Sequence, residues 1–156
     1  MVPGGSYGRV AALDIGEVRT GVAISDPGGS LARPLDVVPS EQLAGYLRGF
    51  LAKEAVTEVV VGVPKTLGGE IGFQAKQVLA KLDALRDMFP SVHFVEWDER
   101  LTTRMARASR NGSRLKDRKG RRKRGAKERL DHLAAAGMLQ EYLDRREALE
   151  AIRQGS

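Results

Sequence analysis

The run Thr57-Glu58-Val59-Val60-Val61-Gly62-Val63-Pro64 constrains the fold of this chain more than any other segment. Its valines are contiguous rather than alternating with polar residues. A strand with one wet face alternates, whereas a strand covered on both faces does not. Residues 57–63 therefore read as a central parallel strand, and Pro64 stops it. Helices flank it on both sides in sequence. Residues 41–55 place Leu43, Tyr46, Leu47, Phe50 and Leu51 on one stripe, with Ser40 as the expected N-cap. Residues 73–89 do the same with Val78, Leu79, Leu82, Leu85 and Phe89, and Pro90 ends that helix.

The other segments build a sheet around this strand. Residues 9–16 and 20–25 read as strands joined by the tight connection Gly16-Glu17-Val18-Arg19, which suits a hairpin. A third strand over 31–38 is interrupted by Arg33-Pro34, which suits a sheet edge. Residues 92–97 form a fifth strand, 101–110 a short helix, and 126–152 a helix almost throughout. The first three strands can form an antiparallel meander. The last two each follow a helix and join in parallel through right-handed crossovers. The 156 residues are enough for one core. The expectation is a single α/β domain over 1–156, with its core over 9–144, a basic loop over 111–125 and a C-terminal tail over 145–156. Its sheet is mixed and five-stranded, three antiparallel strands then two parallel, with helices on both faces. That arrangement suggests an RNase H-like fold, which by itself fixes no function.

Three acidic signals lie far apart in this frame. Asp14 sits inside the apolar strand Arg9-Val10-Ala11-Ala12-Leu13-Asp14-Ile15-Gly16, on the face of Val10 and Ala12, while Leu13 and Ile15 point the other way. An aspartate serving only a turn would sit outside the apolar run. Asp98-Glu99 close the strand Val92-His93-Phe94-Val95-Glu96-Trp97, and strand ends of open α/β sheets are where ligands bind. Adjacent residues point to opposite faces, so only one of the pair reaches the centre, and strand phase at its last residue does not choose. Asp131 shares a helical stripe with Ala134, Ala135, Met138 and Tyr142, so it faces the sheet. An acid that only complements the helix dipole needs no such stripe.

Buried carboxylates are costly unless compensated. Three that converge suit a divalent cation, and carboxylates in a chain without cysteine select Mg²⁺ or Mn²⁺. Two such ions about 3.5–4 Å apart activate water and neutralise a leaving oxygen in phosphodiester hydrolysis. That chemistry needs no histidine base. His93 reads as a strand residue, and His132 lies about 100° off the Asp131 stripe.

The charge distribution names the substrate class. Residues 114–129 hold ten basic residues against Asp117 and Glu128, a net +8, while the chain as a whole carries +6. All the excess positive charge is therefore local, the pattern of a nucleic-acid contact. Lys116, Arg118, Lys119, Arg121, Arg122, Lys123 and Arg124 form its centre, in a loop without apolar periodicity that is expected to be mobile without a ligand. Arg19, Lys65 and Arg100 flank the acidic motifs and read as phosphate contacts that position a strand without reading its sequence. Aromatic residues make up only 5% of the chain, so backbone and shape recognition is expected rather than base stacking. The glycine-rich segment 65–72 could offer N–H groups to a phosphate but does not match the Walker pattern. No apolar run is long enough to span a bilayer, residues 1–6 lack signal-peptide features, and the absence of cysteine suits a reducing cytoplasm.

Leu13-Asp14-Ile15-Gly16-Glu17-Val18-Arg19-Thr20-Gly21-Val22-Ala23 resembles the opening motif of the YqgF (RuvX) family. Val60-Val61-Gly62-Val63-Pro64 with Gly68-Gly69 looks like that family's central strand and loop. Asp98-Glu99-Arg100-Leu101-Thr102-Thr103 is its most specific signature. Asp131 with Ala134-Ala135 and Leu139-Gln140-Glu141-Tyr142-Leu143 resembles its last helix. The match spans about residues 9–144, in order. The resemblance implies an RNase H-like nuclease, similar in fold to RuvC-type resolvases, using divalent metal. Its implied roles are divided between processing the pre-16S rRNA 5′ end and resolving Holliday junctions. Carried over by position, the metal-binding and catalytic acids are Asp14, Glu99 (in preference to Asp98) and Asp131. The basic stretch over 116–129 looks longer and more highly charged than the family's usual one. Partners expected on this reading are structured RNA or branched DNA, with a homodimer if two symmetric cuts are made.

Two other classes compete. A non-catalytic ribosome-assembly factor would need only the basic segment, because phosphate contacts give affinity without an active site. An ATP-using protein of the actin/hexokinase type also carries Asp-x-Gly on its first strand. This chain is too short for the two domains that enclose ATP in such proteins.

Overall fold

The computed structural model describes residues 8–65, 68, 70–101 and 124–155; the side chains of Arg100 and of residues 124–132 lie outside that description. Strands β1 (Arg9–Ile15), β2 (Arg19–Ser25) and β3 (Ala32–Pro39) come first, followed by a 3₁₀ turn at Ser40–Gln42 and helix α1 (Leu43–Lys53). Strand β4 (Val56–Val63), helix α2 (Phe73–Met88) and strand β5 (His93–Asp98) follow, then a 3₁₀ turn at Glu99–Leu101 and helix α3 (Arg124–Gly155). The expected helix over 101–110 and all but the last two residues of the expected loop over 111–125 lie outside the described residues. Helix α3 starts at Arg124 and runs as far as Gly155, so the C-terminal tail is helical.

The sheet order is β3-β2-β1-β4-β5. Strands β1, β2 and β3 pair antiparallel, and β4 joins β1 and β5 in parallel. Strand β3 is an edge, as Pro34 requires, and its pairing skips a residue where Ala23 of β2 opposes Pro34. Strand β4 is central and buried on both faces. Val59, Val61 and Val63 pack with α1 and α2, while Val60 packs under α3.

The two faces carry separate cores. On one, Ala11, Leu13 and Ile15 of β1 meet Leu43, Leu47, Phe50 and Leu51 of α1 and Val78, Leu82 and Leu85 of α2. These helical positions recur every three or four residues, as an apolar stripe must. On the other face, Val10, Ala12, Ala23, Val60 and Trp97 meet Ala135, Met138, Leu139 and Leu143 of α3. Alanines on both partners let α3 lie close to the sheet. Among the described residues, no helix is long and apolar enough to cross a membrane.

Polar contacts give α3 its direction. The Gln140 amide accepts from the Ala32 backbone at 2.8 Å and donates to the Ser30 carbonyl at 2.9 Å. The Tyr142 hydroxyl donates to Glu58 near the start of β4, and Arg146 lies 3.5 Å from the same carboxylate. The Trp97 and Tyr142 rings meet edge-on at 6.0 Å, with the Arg145 guanidinium 5.5 Å from the Trp97 ring. The C-terminal half of α3 thus sits over the β2–β3 turn and the start of β4, and its N-terminal half runs toward the strands' C-terminal edge.

Ser40 does not cap α1. The cap positions of the 3₁₀ turn and of α1 carry no side-chain hydrogen bond. The Ser40 hydroxyl instead donates to the Gly16 carbonyl at 2.6 Å. The 3₁₀ turn postpones the helix to Leu43, which leaves that hydroxyl free of a capping role.

Candidate active site

Strands β1, β4 and β5 run parallel, so their C-terminal ends share one edge of the sheet. Asp14 is the penultimate residue of β1, opposite Gly21 of β2. Alternation along β1 puts it on the α3 face with Val10 and Ala12, as the strand phase predicts. It is half-buried.

The structure distinguishes Asp98 from Glu99. Phe94 packs in the α1/α2 core, and Glu96 reaches Arg86 of α2 at 3.9 Å. Asp98 continues that phase and pairs in register with Val63, itself on the α1/α2 face. Trp97 lies on the α3 face, and Glu99 lies on that face too, beside Gly62 and Met138 of α3. A Cβ built on Gly62 would come within 2.9 Å of Glu99 Oε1 and 2.8 Å of Met138 Sδ. The Glu99 carboxylate therefore rests over Gly62, on the strand next to Asp14, in a cradle that a side chain on residue 62 would fill.

Position 131 of α3 lies one turn before Ala135 and two turns before Met138, about 10 Å along the axis from Met138. The backbone carries it toward the same edge, while its side chain lies outside the described residues. Among the described residues, no three His, Asp or Glu side chains form a group able to hold an ion. Two acids on one face, both hard oxygen donors above a glycine gap, fit a divalent cation such as Mg²⁺ or Mn²⁺. Asp131 is the residue that would complete the set.

The basic candidates divide in the same way. Arg19 opens β2 at this edge, and Lys65 follows Pro64 just past the end of β4; both are partly buried. Arg100 lies in the 3₁₀ turn after β5, its side chain undescribed. Lys116, Arg118, Lys119, Arg121, Arg122 and Lys123 lie outside the described residues, and Arg124 is the first residue of α3. His93 is exposed at the start of β5, at the opposite end from the acids. A groove of about 340 Å³ lined by Ile15, Gly16, Glu17, Phe73, Gln77 and Lys81 opens at the same edge but on the α2 face, away from the carboxylates.

The hairpin that follows Asp14 is built tightly. The Gly16 N–H donates to the Arg19 carbonyl at 2.9 Å, and a Cβ on Gly16 would lie 2.5 Å from that oxygen, so only glycine fits. Sequence reasoning missed two contributors: Gly62 as the cradle for Glu99, and Ser40 as a tie to this hairpin. The signal for Gly62 was present, since a glycine inside a strand marks a close approach.

A family model described as "RuvX: Holliday junction resolvase" matches residues 8–145. A protein of Rubrobacter xylanophilus named "Putative pre-16S rRNA nuclease" is 58% identical over 137 residues, covering 88% of this chain and 93% of the relative. A protein of Nocardia farcinica with the same name is 40% identical, covering 91% and 81%. The fold is similar to that of Thermus thermophilus RuvC solved with a Holliday junction substrate, at a TM-score of 0.52, 16% identity, and coverage of 89% of this chain and 96% of that one.

Proposed function

The chain belongs to the RuvX family, and from that premise we propose that it is a divalent-metal-dependent nuclease that hydrolyses phosphodiester bonds in structured nucleic acid, with the 5′ end of pre-16S rRNA as its substrate. The observation that carries this reading is the Glu99 carboxylate over Gly62, on the same face and edge as Asp14. Asp14, Glu99 and Asp131 would hold the cation. When bound, the cation supplies activation of a water nucleophile and charge neutralisation at the leaving oxygen. The chain's own contribution is rigid placement of oxygen donors. β1 fixes Asp14 within a hydrogen-bonded strand, and the 3₁₀ turn after β5 folds Glu99 back over β4. Met138 and Trp97 are buried on the same face, with the Met138 Sδ beside Gly62.

Arg19, Lys65 and Arg100 would grip phosphates on either side of the scissile bond, at the edge where the acids lie. Residues 116–124 would add sequence-independent affinity through phosphate contacts. The pre-16S substrate comes from the names of the curated relatives. The family's own description favours a second substrate, the four-way DNA junction. One matched assay in Mn²⁺ separates them, using an rRNA leader precursor and a four-way junction with wild type and Asp14→Asn. The expected result is cleavage of the leader by wild type only. Cleavage of the junction alone would move the substrate to branched DNA, and cleavage of either by Asp14→Asn at the wild-type rate would refute the site.

A further inference from the structure

We infer that Ser40, with Thr20 behind it, is a positioning residue for the active edge, fixing the β1–β2 hairpin on which Asp14 and Arg19 stand. This inference rests on the reading of Asp14 as a metal ligand. Ser40 lies at the junction of β3 and the 3₁₀ turn, more than twenty residues away in sequence from the turn it binds. It makes three contacts with the hairpin. Its N–H donates to the Val18 carbonyl at 2.8 Å. Its hydroxyl donates to the Gly16 carbonyl at 2.6 Å. The Thr20 and Ser40 hydroxyls lie 2.9 Å apart.

Proton accounting orders these contacts. A serine hydroxyl has one proton. Ser40 commits it to the Gly16 carbonyl, so in the Thr20–Ser40 pair Thr20 is the donor. Thr20 is fully buried, so its hydroxyl must find a partner inside the protein. The result is a directed relay from Thr20 to Ser40 to the Gly16 carbonyl. Gly16 is two residues from Asp14, and Thr20 opposes Ile15 in the register that sets Gly21 against Asp14. The tips of the hairpin, Glu17 and Val18, are exposed and have no core packing to hold them. Core packing at this end of β1 stops at Ile15, so hydrogen bonding from Ser40 replaces packing as the restraint on the hairpin tip beyond it. A ligand-bearing strand end held this way behaves like the outer-shell partners of metal sites, whose loss typically costs about 10–100-fold in affinity or activity.

The test compares wild type, Ser40→Ala, Ser40→Thr and Thr20→Val by two readouts: amide hydrogen exchange across residues 14–21, and Mn²⁺ affinity measured by calorimetry. Ser40→Ala is expected to speed exchange at Gly16 and to weaken Mn²⁺ binding about tenfold or more. Ser40→Thr, which keeps the hydroxyl, is expected to restore both. Thr20→Val is expected to give a smaller change in the same direction. Wild-type exchange at Gly16 in Ser40→Ala would overturn the inference, and so would faster exchange accompanied by unchanged Mn²⁺ affinity. If wild type itself bound no Mn²⁺, the metal-centre reading would fail; the exchange rates alone would then decide whether Ser40 holds the hairpin.

Discussion

If Glu99 holds a metal as proposed, Gly62 is where one added atom would disturb the site. Alanine there would bring its Cβ to 2.9 Å from Glu99 Oε1 and 2.8 Å from Met138 Sδ. Both neighbours are ends of flexible side chains and can move away, so the fold survives at an overpacking cost of about 1–3 kcal/mol. On the proposed reading, a displaced Glu99 carboxylate would no longer hold the cation in place. Gly62→Ala is therefore expected to lose cleavage by at least the about 10–100-fold typical of a disturbed metal environment, while circular dichroism stays native. Ala55 makes the opposite case. It adopts φ 51 at the turn into β4, a conformation that costs a non-glycine residue about 1–2 kcal/mol. Ala55→Gly is expected to raise Tm by about 2–4 °C without changing cleavage, as thermal denaturation would show.

At the scale of elements, α3 depends on its polar anchor to the start of β4. Tyr142 donates to Glu58, and burial, that hydrogen bond and the Glu58 charge together raise its hydroxyl pKa above the usual phenol range. Burial, with the charges of Asp36 and Glu54 added, pushes Tyr46 up to about 12. A phenol raised in the folded state stays neutral while the unfolded chain's, with a pKa of about 10, ionises. The stability these residues give is thus intact below about pH 10 and lost as pH rises through the folded values. Tyr46→Phe and Tyr142→Phe are expected to flatten the fall in Tm between about pH 10 and 12, measured by thermal melts across that range.

Elements of this kind were legible where a single physical cause decided them. The unbroken valines of β4 gave its double burial, Pro34 gave an edge strand, and the stripes of α1 and α2 gave their buried faces. Ser40 was not legible as a tie, because a serine before a helical stripe fits a cap equally well, and only the 3₁₀ turn diverts it. Strand phase alone left Asp98 and Glu99 open and only the family resemblance favoured Glu99; which face each takes depends on how the chain turns after β5.

At the scale of the whole molecule, the sheet brings Asp14 and Glu99 to one edge, and the chain concentrates its surplus positive charge over 114–129. Nucleic-acid affinity is expected to fall about 10³-fold or more between 50 and 200 mM salt, and neutralising residues 116–124 should flatten that dependence, as filter binding would show. The far end of α3 carries little of the fold. Leu149 and Ile152 are 64% and 70% exposed, and the anchors at Gln140, Tyr142 and Arg146 precede them. Removal of residues 147–156 is expected to leave Tm within about 2 °C of wild type. The central claim, that Asp14 and Glu99 share one cation while Asp98 does not, is tested most directly by Mn²⁺ titration of wild type, Asp14→Asn, Glu99→Gln and Asp98→Asn. The account predicts binding by wild type and Asp98→Asn and its loss in the other two; wild-type affinity in Glu99→Gln would contradict it.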